Sequence, residues 1–248
     1  MNDVTEDFIL GGKVLIRQPR HGYRVNVDTL LLAATLPPGQ AASVVEAGCG
    51  VGGALLAMAK IHKDSGANAH FVGIERDVGM VGLARENVIS NDLSESVRIV
   101  EGDVLTPPTE LGQFDAVLFN PPYDYEGEGR PPAEEKRAAY IADRPITDWI
   151  KIWSNRMTSG ASLTLIQRPQ RLPEILSALE GRLGGAAIFP VRSEPGAPAR
   201  RIIARAWKGS RAPMQLLAGL DLHPEDRADK YTPETEALLH GEAWIDLG

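Results

Sequence analysis

The chain has 248 residues, 43% of them hydrophobic, which suffices for one substantial core and makes a single α/β-sized domain the natural reading. A net charge of −7 argues against a general nucleic-acid binder, since such proteins need a broad basic footprint, and leaves that role only to local patches. One cysteine, Cys49, excludes an intramolecular disulfide, and the five histidines (His21, His62, His70, His223, His240) lack ligand spacing, so no metal is expected. No apolar run is long enough to span a membrane and Met1 to Glu6 lacks a basic start, which predicts a cytoplasmic protein without a membrane partner.

In chain order, Phe8 to Arg17 reads as a hairpin turning at Gly11-Gly12, and Asp28 to Ala34 as a short helix. Val44-Val45-Glu46-Ala47-Gly48-Cys49-Gly50-Val51-Gly52-Gly53, followed by the apolar run from Ala54 to Ile61, reads as strand, glycine loop and helix. Gly48, Gly50 and Gly53 also satisfy G-x-G-x-x-G, so a nicotinamide oxidoreductase has to be weighed. Glu46 tilts against it, because an acid just before the first glycine suits a cationic amino group better than a pyrophosphate. Cys49, inside that loop, reads as a small buried residue.

His70 to Glu75 is a second strand ending in an acid, about 20 residues after the loop, where a ribose-binding carboxylate belongs. A helix over Asp77 to Ser90 follows. Val97 to Glu101 is the next strand, and beyond it Asp103 can accept from an adenine amino group while the Val104 N–H donates to a ring nitrogen.

Phe114 to Phe119 is an apolar run of the kind buried on both faces, and it must stop at Asn120 because Pro121 and Pro122 cannot extend a ladder. Asn120, Pro121, Pro122 and Tyr123 thus stand at the carboxyl end of a central strand, where open α/β sheets bind ligands. The Asn120 amide oxygen and the Pro121 carbonyl can each accept from an NH2 group, and the Tyr123 ring offers a stacking face to the π-system bearing it. The alternative for N-P-P-Y is a proline-rich turn with Asn120 as a local cap.

Ile146 to Met157 predicts a helix with Trp149, Ile150 and Trp153 on one face, Ala161 to Ile166 a fifth strand, and Gln170 to Leu183 a helix. Ala186 to Val191 and Ile202 to Trp207 form a final antiparallel pair. The alternation implies a doubly wound, mostly parallel sheet with helices on both faces. The chain divides into residues 1–40, a hairpin and helix covering the cofactor site, a Rossmann-like core over 41–208, and an extension over 209–248. Two basic strips, Lys13, Arg17, Arg20 and Arg24, and Arg192, Arg200, Arg201, Arg205, Lys208 and Arg211, are more often ordinary solvated faces, but both border the presumed cleft mouth and could track an RNA backbone. Arg24 has a competing reading as a lid over the cofactor carboxylate.

The glycine loop, Glu75, Gly102-Asp103-Val104 and N-P-P-Y together resemble the class I S-adenosylmethionine-dependent methyltransferases. The resemblance implies a Rossmann-like sheet of seven strands with the last reversed, and S-adenosylmethionine as cofactor. It assigns Glu46, Gly48, Gly50 and Gly52 to the methionine side, Glu75 to the ribose, and Asp103 and Val104 to the adenine, with Asn120 beside the cofactor. N-P-P-Y is similar to the signature of enzymes that methylate a planar NH2, either adenine N6 in nucleic acid or the glutamine side chain of proteins. Gln18 to Ala34, Arg168-Pro169, Arg200-Arg201 and Leu222 to Gly241 resemble the bacterial tRNA(Val) adenine-N6 methyltransferase family. That family often carries a histidine-containing segment after the motif, whereas Asp124 to Arg144 has no histidine and more acids than bases.

The expected activity is direct methyl transfer to adenine N6 in tRNA. Asn120 and Pro121 would act on the nitrogen, Tyr123 would stack on the base, and Arg20, Arg24, Arg200 and Arg201 would contact the RNA. The rivals are a protein glutamine methyltransferase, the oxidoreductase, and a non-catalytic RNA-binding module. The first usually has an additional amino-terminal helical domain, for which the roughly forty residues before the first core strand are too few.

Overall fold

The chain opens with an antiparallel hairpin, β1 (Val4–Ile9) and β2 (Val14–Pro19), lying apart from the main sheet. Its tight turn places Leu10, Gly11 and Gly12 at φ 55°, 64° and 89°. The computed structural model describes residues 4–22, 24–125, 141–142, 144–226 and 228–248. Helix α1 (Val27–Ala33) follows, started by the Asn26 side chain, which accepts from the backbone N–H groups of Asp28 and Thr29.

The parallel centre is β3 (Ser43–Ala47), β4 (His70–Glu75), β5 (Val97–Glu101) and β6 (Phe114–Phe119), with α2 (Gly53–Ser65) and α3 (Val78–Ser90) as crossovers. Beyond the two-residue strands β7 (Asp124–Tyr125) and β8 (Ile141–Ala142) come α4 (Ile146–Ser154), β9 (Met157–Gln167), α5 (Leu172–Leu179), β10 (Leu183–Arg192) and β11 (Ala199–Lys208). Short β12 (Gln215–Leu216) and β13 (Leu220–Asp221) and helix α6 (Pro233–Leu239) complete the described elements. The acid-rich stretch after the N-P-P-Y motif falls largely outside the described residues.

The main sheet runs β12-β10-β11-β9-β6-β3-β4-β5, with β13 also on the outer edge of β10. Strand β11 is antiparallel to both neighbours, so the expected seven-stranded sheet with a reversed last strand is present. The two extra edge strands are two residues each, too short to leave an apolar signature. One core lies under α1, α2 and α3, around Leu31, Leu55, Leu56 and Met58; the other packs α4 and α5 through Trp149, Trp153 and Ile175.

Several boundaries differ from expectation, most of all around α4, β9 and α5. Helix α4 ends at Ser154 and β9 begins at Met157, because buried Met157 pairs with Phe114 and an irregularity before the Ala116–Ser162 pairing absorbs the polar residues between. Helix α5 stops at Leu179, where Glu180 leaves helical geometry (ψ 130°) and Gly181 takes φ 71°.

The topology reverses direction between adjacent β3 and β6, which sets the carboxyl ends of both strands beside each other at the switch point. Glu46, the glycine loop and Asn120 are thereby brought to one crevice.

Candidate active site

Two cavities open at that crevice. The first, about 220 Å³, is lined by Glu46, Gly48, Gly50, Glu75, Asp103, Val104, Asn120 and Pro122, with Trp149, Met80, Val25 and Thr29 among its other walls. The second, about 360 Å³, is lined by Asn26, Asp28, Asn120, Pro121, Tyr123, Arg168, Gln170, Ala199, Arg200 and Arg201. Asn120 belongs to both.

In the first cavity the loop turns through Gly48 and Gly50 at φ 74° and 55°, a left-handed conformation that side chains rarely accept. The N–H groups of Gly48 and Cys49 donate to the Ile74 carbonyl at 2.8 and 3.0 Å, which anchors the loop to β4. Glu46 is 4% exposed and accepts from the Leu55 N–H at 2.8 Å, so it caps the first turn of α2 as well as facing the cavity. Burial pushes its carboxyl up to about 8, against the lowering effect of that hydrogen bond and with Glu75 adding to the rise. Glu75 accepts from the N–H groups of Gly50, Arg76 and Asp77 at 3.0, 2.8 and 2.9 Å, which fixes its carboxylate at the cavity wall. Asp103 accepts from the Leu105 N–H at 2.9 Å. Burial, helped by Glu46 and Glu75, raises the Cys49 thiol well above its ordinary range, in keeping with a packing role. Gly52, at φ 88°, does not line the cavity; it is the N-cap of α2, so its role is to turn the chain.

The second cavity is organised by a residue that the sequence reading left inside a helix. Asp28 has a side chain 2% exposed; it accepts from the Tyr123 hydroxyl at 2.7 Å and pairs with Arg201 Nε at 2.7 Å. Burial opposes the Arg201 charge, but its bonds to Asp28 and Tyr123 outweigh that and hold the guanidinium above its ordinary value. The Arg168 guanidinium carbon lies 5.8 Å from the centre of the Tyr123 ring. Gln167, 2% exposed, donates to the Pro122 carbonyl at 3.3 Å and accepts from the Arg168 N–H, tying the N-P-P-Y turn to the end of β9.

The basic strips dissolve into individual contacts. Arg24 donates to Thr5, to the Pro19 carbonyl and to Asp7 Oδ2 at 2.6 Å, so it braces the hairpin and lines neither cavity. Arg20 is exposed and also lines neither. Lys13 bonds the His240 carbonyl, Arg17 pairs with Glu6, Arg192 with Asp221, and Lys208 bonds the Met157 carbonyl. Arg205 is 4% exposed, bonded to Thr164 and the Thr35 carbonyl, and burial lowers its guanidinium to about 10. Of the two strips, Arg200 and Arg201 are the residues that line either of these two cavities.

Residues 22–135 match the model of the methyltransferase small domain family. A predicted O-methyltransferase from Agrobacterium tumefaciens has a similar solved structure, 29% identical, with TM-score 0.71 over 88% of this chain and 98% of that one. The chain has the fold of a class I S-adenosylmethionine-dependent methyltransferase. The chain is also 25% identical over 227 residues to a tRNA1(Val) (adenine(37)-N6)-methyltransferase of Actinobacillus succinogenes, across 88% of this chain and 89% of that one. A T. thermophilus 16S rRNA N2 methyltransferase, solved with AdoMet and guanosine, shares the fold: TM-score 0.57, 21% identity, 83% of this chain and 50% of that one.

The first cavity fits S-adenosylmethionine. The acidic side chains of Glu46, Glu75 and Asp103 suit a ligand with an amino group, a ribose diol and an adenine amine, and the glycines leave the loop backbone bare beside it. Trp149, Met80, Val25 and Thr29 were not foreseen as walls. Gly53 explains the last two: a Cβ there would stand 2.6 Å from Val25 Cγ2 and 3.0 Å from Thr29 Cγ2, so the missing side chain lets α1 close over the loop. Among the described residues no cluster of side chains could hold a metal, and no helix is long and apolar enough to cross a membrane.

Proposed function

We propose that the protein transfers a methyl group to the exocyclic N6 of an adenine in RNA, with tRNA as the substrate. The observation that carries this reading is Asn120, the wall shared by the cofactor-type cavity and the arginine-lined one. A single amide between the two is what a transfer between ligands in adjoining cavities requires.

S-adenosylmethionine supplies an electrophilic methyl group. The chain's own residues prepare the nitrogen. The Asn120 amide oxygen and the Pro121 carbonyl accept the two N6 protons, which favours a pyramidal nitrogen whose lone pair is no longer spread into the ring. Gln167 occupies the Pro122 carbonyl and so fixes the turn. Tyr123, tethered by its hydroxyl to Asp28, offers its ring to a base turned out of an RNA loop, where unstacking costs less than in a duplex. No general base is needed at the outset, because the nitrogen becomes acidic only once it is methylated.

The A. succinogenes relative, matched across most of both chains, supports tRNA as the substrate. The test is incubation with labelled S-adenosylmethionine and tRNA lacking the modification, followed by digestion to nucleosides. Label should appear as N6-methyladenosine; label found on protein glutamine would overturn the reading.

A further inference from the structure

Asn26 stands on the wall of the second cavity together with Asn120, Pro121 and Tyr123. Its side-chain oxygen accepts from the Asp28 and Thr29 N–H groups at 2.9 and 3.3 Å, and its backbone N–H donates to Thr29 Oγ1 at 3.4 Å. Serine, threonine or aspartate could start the helix equally well, because a cap needs only an oxygen. Asparagine alone among them carries an NH2 group beside that oxygen, and the two incoming N–H groups settle which end of the amide is which. Asn26 is exposed, and among the described residues its NH2 group has no hydrogen-bond partner within the chain. Its position is firm. Gln18 holds the Val25 N–H on one side at 2.8 Å, and Asp28 is bound to Tyr123 and Arg201 on the other.

We infer that the Asn26 NH2 group reads the target base, donating to a ring nitrogen that flanks its exocyclic amine. The inference rests on the adenine reading above and deepens it by naming the donor that completes the match. N6 of adenine lies between two acceptors, N1 and N7, so a cavity that takes both N6 protons on Asn120 and Pro121 needs a donor next to them. A neutral amide suits that place better than the arginines of the same cavity. A guanidinium on the ring nitrogen would draw electron density from the amine that must attack, and an amide draws less. Gln170 also lines the cavity, but among the described residues no bond fixes its side chain, so it would lose more rotamer freedom on binding than the Asn26 amide, which the cap already holds. Asn26 is in this account a specificity residue; the protons of N6 stay with Asn120 and Pro121.

The test uses the full chain with S-adenosylhomocysteine present and titration calorimetry of a uridine heptamer carrying one central adenosine. Two further heptamers replace the adenosine by 1-deazaadenosine or 7-deazaadenosine, each of which sets a C–H where one ring acceptor stood. In the wild type one of the two should bind about tenfold more weakly than adenosine, the effect of leaving a donor without its acceptor. Asn26→Ser keeps a capping oxygen and removes the NH2 group, and should reduce that discrimination to less than about twofold. Asn26→Asp also keeps the cap but sets an oxygen where the NH2 group stood, and should bind the adenosine heptamer about tenfold more weakly than the wild type. S-adenosylhomocysteine affinity and melting temperature should stay at wild-type values in both variants, since the cap is kept and Asn26 does not line the first cavity. Equal discrimination in wild type and Asn26→Ser, none against either analogue in the wild type, or wild-type affinity of Asn26→Asp for the adenosine heptamer overturns the assignment and leaves the adenine reading intact. If the wild type binds the adenosine heptamer no more tightly than an all-uridine one, the adenine reading itself has failed and the assignment falls with it.

Discussion

The Tyr123 hydroxyl provides the sharpest test of how the site is built. From the sequence, only the π-face of Tyr123 has value, and phenylalanine should restore nearly everything that alanine loses. The structure changes that expectation. The hydroxyl donates to Asp28 Oδ2 at 2.7 Å, and the Asp28 side chain is 2% exposed, with Arg201 as its other partner. A hydrogen bond to a charged acceptor contributes about 1.5 to 3 kcal/mol, and leaving such an acceptor under-satisfied incurs its desolvation cost as well. Since Arg201 stays in place and is about one-third exposed, the lower end applies. Tyr123→Phe should therefore lose about 1.5 kcal/mol in kcat/KM on tRNA, about tenfold, while keeping the stacking energy of about 1 to 3 kcal/mol per base that Tyr123→Ala forfeits.

The loss should fall mainly on KM if ring orientation governs base capture. It should also be coupled to Asp28. Asp28→Asn keeps an acceptor for the hydroxyl but turns an N–H2 group toward Arg201, so the single variant should be impaired, and the double variant should lose less than the sum of the two. Steady-state kinetics on tRNA for the four proteins, with thermal unfolding as a control, decides the matter. Wild-type kcat/KM in Tyr123→Phe, or strict additivity in the double variant, would refute the argument that Asp28 orients the ring through its hydroxyl.

Three other outcomes follow from the same geometry. Asn120→Ala should lower kcat by about 100-fold or more with little change in RNA affinity, since the lost acceptor acts most strongly as the nitrogen pyramidalises; unchanged turnover on tRNA counts against it. Gly53→Ala should weaken S-adenosylmethionine binding and lower the melting temperature through about 1 to 3 kcal/mol of overpacking against Val25 and Thr29, and unaltered calorimetric affinity would show that α1 does not close the cavity. The Glu46 carboxyl, pushed up to about 8 by burial, keeps in the folded state a proton that the unfolded chain has already released above about pH 4.3. Cofactor-free stability of the wild type relative to Glu46→Gln should therefore fall as pH rises from about 4.3 to about 8 and level off beyond; urea unfolding across that range giving parallel profiles would remove the assignment.

What could be read from sequence is what local pattern encodes. The run Phe114 to Phe119 closed by two prolines had to be a buried strand ending at Asn120, and Glu75 had to follow a strand about 20 residues beyond the glycine loop. Asp28 was harder, because its partners Tyr123 and Arg201 are 95 and 173 residues away in the chain. It did leave a trace: it shares the buried face of α1 with Leu31 and Leu32, and an acid among apolar neighbours on one helical face needs a partner. The basic strips could not be resolved from sequence for the opposite reason. Counting charges along the sequence cannot tell that Arg205 is interior to the sheet, or that Lys13 reaches a carbonyl 227 residues away.

The amino-terminal segment is where these separations acquire a functional meaning. Asn87 in α3 and Asn91, the C-cap one turn further on, use their side-chain amides as a substitute strand along β2: each accepts from and donates to the backbone of Arg17 or Leu15 at 2.8 to 2.9 Å. Asn87 also donates to the Val51 carbonyl at 3.0 Å, so the same side chain holds the hairpin and the glycine loop. From there Gln18, bonded to the Val25 N–H and to Asp7, leads the chain into α1. Val25 and Thr29 then face the first cavity, while Asn26 and Asp28 face the second. A helix whose alternate sides wall both cavities cannot shift without altering both. Thr29, whose methyl group would meet a Cβ at Gly53, and Asp28, which holds the Tyr123 hydroxyl, are consecutive residues of α1, so one helical turn ties the packing against the glycine loop to the placement of Tyr123.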